Sequence, residues 1–302
     1  MANVTENVGC MTGLCVIMTH HKIACSALNS TLAVIALLGN VWVIAALQKV
    51  SSLHPPSKLL LCCLACTDLC VGIITQPLHV VLLVSPEDSQ AQDCIFNVFN
   101  SLAAMFGGVS LLTLTAISVD RLLALLMGLR YRQVVTLRRA WIFVALFWLF
   151  SITVAMIFFF NFRITIFIIS IAMLFCIVTS TLCYTKIYLT LRNHQGRVQD
   201  NVHQGQTNGD GISLNIERYK KTVSSALWVQ ITLVVCYLPY AIVATIFAST
   251  ERRTQLLDLS LEAAITLVLF NSSLNPFLYC WKMKEVRLAV KVMIRQFCCF
   301  SC

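Results

Sequence analysis

The chain has 302 residues, of which 58% are apolar and only 12% charged, with a formal net charge of +9. An ordinary soluble domain is about 45–50% apolar and about 25% charged, so this chain has too few charges to cover a soluble surface and is too hydrophobic for disorder. Its 15 cysteines lie mostly inside apolar runs, which excludes a disulfide-rich secreted domain, and its basic residues gather in particular loops rather than in a nucleic-acid-binding patch.

A helix needs about 20 mostly apolar residues to cross about 30 Å of hydrocarbon. No Lys or Arg precedes Lys22, so the positive start of a cleavable signal peptide is missing. Residues 1–22 are expected to form an extracellular N-terminus. The first three spans are expected at 23–47, 57–84 and 94–125. From Trp141 to Leu191 the only polar break is Asn161-Phe162-Arg163. Read as one helix, that stretch would be about 76 Å long, so it must turn, giving spans at 140–160 and 164–191. Residues 193–215 carry Gln, Asn, Gly, Asp and His and are expected to form a flexible cytoplasmic loop. Spans at 223–248 and 256–281 complete a seven-span domain over 23–281. In residues 282–302, Lys284, Arg287, Lys291 and Arg295 share one helical face, with Val286, Val290, Met293, Ile294 and Phe297 roughly opposite. That pattern predicts an amphipathic helix on the inner leaflet. Cys298, Cys299 and Cys302 follow as candidates for palmitoylation or as free thiols. The fold class is therefore an all-α membrane protein, a seven-transmembrane helix bundle.

Charge sets the orientation. Arg130, Arg132, Arg138, Arg139, Lys186, Arg192, Arg197, Arg218, Lys220 and Lys221 flank the fourth and fifth spans on one side, and basic loops stay in the cytoplasm. The N-terminus is then extracellular and the C-terminus cytoplasmic, which makes Asn3-Val4-Thr5 a usable glycosylation sequon. An ionisable residue within a span is costly and marks function by default. Here these are Asp68 in the second span and Asp120 with Arg121 at the end of the third. No span pairs a nucleophile with a His or a second Asp, so no enzyme is expected. A transporter or channel is the alternative, but it would need paired charges or broken helices along a path.

Seven spans with these residues resemble the rhodopsin-like G-protein-coupled receptors. The resemblance rests on Gly39-Asn40, Leu64-Ala65-Cys66-Thr67-Asp68-Leu69, Ser118-Val119-Asp120-Arg121-Leu122, Tyr131, Trp148, Tyr184, Cys236-Tyr237-Leu238-Pro239 and Asn275-Pro276-Phe277-Leu278-Tyr279. It implies a plasma-membrane receptor that binds an extracellular ligand and activates a heterotrimeric G protein. Asp120, Arg121, Tyr131, Tyr184, Pro239, Asn275, Pro276 and Tyr279 then match the coupling and activation residues. Asp68, Ser110, Asn271, Ser272 and Asn275 match an allosteric sodium site, whose oxygen donors suit a hard cation. The alternative is a neutral Asp68 that only hydrogen-bonds its neighbours. A ligand pocket is implied at Asn100, Ala103, Ala104, Gly107, Ile168, Tyr237, Tyr240 and Leu269.

Departures from the family pattern matter as well. The second outer loop is about three residues and lacks the usual cysteine, so Cys94 would pair with Cys10 or Cys15 or stay unpaired. Where relatives place a Glu at the start of the sixth span, this chain has Tyr219 and Lys220, which puts the usual ionic lock in doubt. The short outer loop and the lack of a fifth-span Pro resemble melanocortin receptors. The Asn-Ser-x-x-Asn-Pro-Phe run resembles adenosine receptors. Neither ligand set transfers, because Leu78, Phe96 and Asn100 replace the melanocortin acidic cluster and Ala244 replaces the adenine-binding Asn. Ala103 replaces the acid of amine receptors, and Leu269 the Lys of opsins. The ligand expected is small and apolar, lipid-like or a peptide, in a pocket open above.

Overall fold

A computed structural model describes residues 2–51, 53–85, 90–203, 209–250, 254–282, 286–292 and 295. Side chains 2–17, 194–203, 209–227, 229 and 282 are outside that description. Seven helices are long and apolar enough to cross a membrane: Met18–Lys49, Pro55–Val84, Gln90–Val134, Leu137–Phe158, Phe162–Asn193, Gln230–Ser249 and Gln255–Trp281. Each coincides with one of the seven spans expected from hydropathy, and no strand occurs among the described residues. The turn between the fourth and fifth spans is as tight as the polar break suggested. Asn161 ends one helix by donating its N–H to Ile157 O at 2.9 Å. It then caps the next, its side-chain oxygen accepting from the Ile164 N–H at 3.1 Å. An N-cap amide of this kind satisfies a donor that the first helical turn leaves open.

The stretch at 193–215 differs from its expected form as a flexible loop. The fifth helix runs on to His203 and the sixth begins at Gly209, so the described part of this stretch is helical. No proline interrupts it, and extending an existing helix adds a hydrogen bond per residue without a new nucleation cost. Beyond the seventh span, residues 286–292 are helical. Val286 is fully buried against Val43, Ala46, Leu47, Leu61 and Ala65, while Lys291 is exposed, as the amphipathic pattern requires. The Asn3 side chain and Cys298, Cys299 and Cys302 lie outside the described residues.

The first and seventh spans are joined along their length. Asn29 Nδ2 donates to Thr266 Oγ1 at 3.1 Å, Asn40 Nδ2 to Ser272 O at 3.1 Å, and Ser273 Oγ to Leu32 O at 2.9 Å. His21 Nδ1 lies 3.2 Å from Glu262 Oε2 at the outer end. Between these contacts Gly39 meets the Pro276 ring so closely that an added Cβ would fall 2.7 Å from its Cγ. Only a residue without a side chain permits that approach. The second span carries a π-helical segment, Val71–Thr75, ahead of Pro77. Proline has no N–H to offer the preceding turn, and a one-turn π segment absorbs the mismatch.

Candidate functional site

Three structures stack along the bundle axis. The middle one surrounds Asp68, which is fully buried. Ser110 Oγ donates to its Oδ1 at 2.9 Å, and Asn275 Nδ2 donates to its Oδ2 at 2.6 Å. Ser272 reaches the same carboxylate with its side chain. Asn271 instead donates to the Tyr237 hydroxyl at 3.2 Å, linking this cage to the floor of the space above. The carboxylate and the two hydroxyls are oxygen donors of the kind that fits a hard cation, while the Asn275 amide turns its nitrogen to the carboxylate.

Above the cage lies a cavity with about 1060 Å³ of empty space, part of it open to solvent. All eight expected pocket residues line it: Asn100, Ala103, Ala104, Gly107, Ile168, Tyr237, Tyr240 and Leu269. Ser110 and Ser272 line it too, so it reaches down to the residues that hold Asp68. Among the described residues no charged side chain lines it. A Cβ added at Gly107 would meet nothing within 4 Å. Above one corner, four phenylalanines cluster: Phe158 lies 6.3 Å from Phe96 and 5.6 Å from Phe162, which lies 6.0 Å from Phe247, between ring centroids. Phe158 belongs both to this cluster and to the cavity lining, so the aromatic rings meet the cavity there.

At the cytoplasmic end, Gly128 adopts φ +51°, a conformation that costs glycine little. The turn it makes brings Tyr131 back against the third span, and the Tyr131 hydroxyl donates to Asp120 Oδ1 at 2.6 Å. Ser57 Oγ donates to Asp120 Oδ2 at 2.8 Å. Both carboxylate oxygens are thus held by hydroxyls. No ion pair joins Asp120 to Arg121 among the described residues; Arg121 is exposed and close enough to Tyr184 and Tyr279 to act on both electrostatically. Pro239 and Pro276 lie inside their helices. Cys94 is exposed and free, and the side chains of Cys10, Cys15, Tyr219 and Lys220 lie outside the described residues.

The profile of the seven-transmembrane receptors of the rhodopsin family matches residues 39–164 and 161–279. The chain belongs to this family. Similar relatives include melanocortin receptor 4 of Danio rerio, 26% identical over 89% of this chain and 82% of its own length. Melanocortin receptor 5 of Homo sapiens is 27% identical with the same coverage, and that of Rattus norvegicus is 25% identical, again with the same coverage. As a rhodopsin-family receptor it binds an extracellular ligand and is not an enzyme; the transporter or channel reading is not favoured.

Sequence reasoning missed several residues of this receptor. Ser57 holds Asp120 from 63 residues away, and nothing in its neighbourhood marks it. Thr75 lines the cavity with an unpartnered hydroxyl. Behind it Gln76 and His79 are buried, with His79 stacked on Phe99 at 5.0 Å. Two buried polar residues in an apolar span were the available signal for these. The Asp120 clamp also yields an expected result. A hydrogen bond to a charged group is worth about 1.5–3 kcal/mol. If activation releases the clamp, Tyr131→Phe raises basal nucleotide exchange several-fold at matched receptor level. Unchanged exchange would show that the clamp does not hold the resting state.

Proposed function

We propose that this receptor, with its N-terminus extracellular and its C-terminus cytoplasmic, couples an uncharged, mainly apolar ligand to a heterotrimeric G protein. The observation that carries this reading is the cavity that has no charged wall residue among the described residues and runs down to the residues holding Asp68. An apolar pocket with few polar groups favours a ligand of matching character. The similar relatives are named for melanocortins, but the acidic cluster that resemblance would require is replaced by Leu78, Phe96 and Asn100. The test is guanine-nucleotide exchange by the full chain in nanodiscs on a panel of G-protein heterotrimers. Exchange above that of receptor-free discs with at least one subtype supports the reading; none with any subtype, with and without neutral lipids, overturns it.

The Asp68 cage supports a second element of the proposal. Asp68, Ser110, Ser272 and Asn275 would hold a sodium ion, which would supply positive charge at the buried carboxylate and favour the resting arrangement; Asn271 would join through its link to Tyr237. Asp68→Asn keeps the shape and removes the charge. It is expected to abolish the difference in basal exchange between NaCl and choline chloride. A variant that still responds to sodium would place the ion elsewhere. Asn3 glycosylation and palmitoylation of Cys298, Cys299 and Cys302 belong to the same proposal.

A further inference from the structure

We propose that the ligand is a neutral single-chain lipid that enters the cavity sideways from the bilayer, between the fourth and fifth spans. This rests on reading the cavity as the ligand site. Phe150 carries the inference. It lines the cavity, yet it is 45% exposed on the outer face of the bundle, beside Leu146 and Leu149. It lies past the middle of the 22-residue fourth helix, at the depth of hydrocarbon. One side chain therefore faces both the cavity and the lipid. Across the boundary the fifth span offers Ala172, which also lines the cavity and is only half-buried. Phe150 and Ala172 are thus two lining side chains, one on each of these spans, that are also partly exposed on the outer face of the bundle, and there the partition between cavity and lipid is thinnest in the proposal.

The other observations agree on the occupant. Phe158, which lines the cavity, is packed against Phe96 and Phe162, so the wall near this boundary is aromatic. A Cβ added at Gly107 would meet nothing within 4 Å, so the lining is open on the third span as well. Thr75 brings a buried, unpartnered hydroxyl to the lining, a partner for one hydroxyl or amide at the ligand's head. With no charge in the lining, an anionic or cationic head would be desolvated without compensation. A single-chain lipid gains about 0.8 kcal/mol per buried CH₂ in the bilayer, so the membrane holds nearly all of it and is the reservoir that must supply the site.

The test uses the full chain in nanodiscs containing a monoacylglycerol with a photoactivatable diazirine in its acyl chain. After irradiation, labelled residues are mapped by mass spectrometry. In the wild type, labelling is expected on the cavity wall around Ala104 and Met173 as well as on lipid-facing Phe143 and Leu146. Phe150→Trp and Ala172→Leu, made separately and together, thicken the partition. They are expected to lower cavity labelling over a short pulse about ten-fold, the effect of a barrier raised by about 1.4 kcal/mol, while Phe143 and Leu146 label as before. An anionic analogue, a diazirine lysophosphatidate, is expected to label only the lipid face. An unlabelled cavity wall in the wild type overturns the proposal. So does cavity labelling that the variants leave unchanged, which would put entry at the outer mouth. The thermal midpoint and monodispersity of each sample check folding, and basal nucleotide exchange of the wild type is measured alongside. Exchange that persists with an unlabelled cavity would leave the receptor reading intact and remove only the lipid route.

Discussion

Arg121→Ala is expected to lower nucleotide exchange on the cognate G protein at least about 30-fold, with receptor level unchanged. The guanidinium is exposed at the cytoplasmic mouth, and its neighbouring acid is satisfied by Ser57 and Tyr131. Removing it therefore strands no buried partner, and the bundle keeps its packing. What is lost is a planar cation that keeps its charge on partial desolvation and can meet the carbonyl groups of a docked partner. Truncating a charged group in a buried interface costs about 2–5 kcal/mol, and the lower figure is already about 30-fold. The measurement is exchange on the responding heterotrimer, with surface level and thermal stability as controls. Arg121→Lys separates charge from shape. Recovery by lysine would mean that a point charge suffices. Full exchange in Arg121→Ala would remove this residue from coupling.

The second large effect is structural. Gly39→Ala is expected to lower the thermal midpoint of the detergent-solubilised receptor by roughly 3–10 °C and to reduce its surface level. The new methyl would fall 2.7 Å from Pro276 Cγ and 2.8 Å from Cβ. The proline ring is rigid and cannot turn aside, so the first and seventh spans must part. Overpacking of this kind costs about 1–3 kcal/mol, and for a chain of this size each kcal/mol moves the midpoint by about 2–4 °C. Gly107→Ala is the matched control, because a Cβ there meets nothing within 4 Å and should leave the midpoint unchanged. A Gly39→Ala receptor as stable as the wild type would show that the two helices can separate freely at this point.

Hydropathy and charge made the seven spans and the Asn161 turn legible, because the cost of exposing backbone and charge to lipid dominates every local preference. They say nothing about which faces meet. Asp68 and Asn275 lie 207 residues apart, and only the family pattern put them in one place. The pocket residues were legible for the same reason. The π segment was not read, although Pro77 marked it, because proline alone does not say whether a helix kinks, bulges or breaks. The helical extensions beyond the fifth and sixth spans went unread because polar composition distinguishes water from lipid better than helix from coil. Ser57 had no signal at all, since a serine directly after a proline pair is ordinary at a helix start.

The hydrogen-bonded, glycine-tightened join between the first and seventh spans also sets how force can travel. Among the described residues the fifth and sixth spans are also joined by three side-chain hydrogen bonds, Ser170 with Thr245 and Ala241 O and Gln230 with Thr181, but neither carries a glycine along Phe162–Asn193 or Gln230–Ser249 that would let the backbones close up in the same way. The first and seventh helices form a mast, tied at four heights and locked near its middle by the Gly39–Pro276 contact, which leaves the one no room to slide along the other.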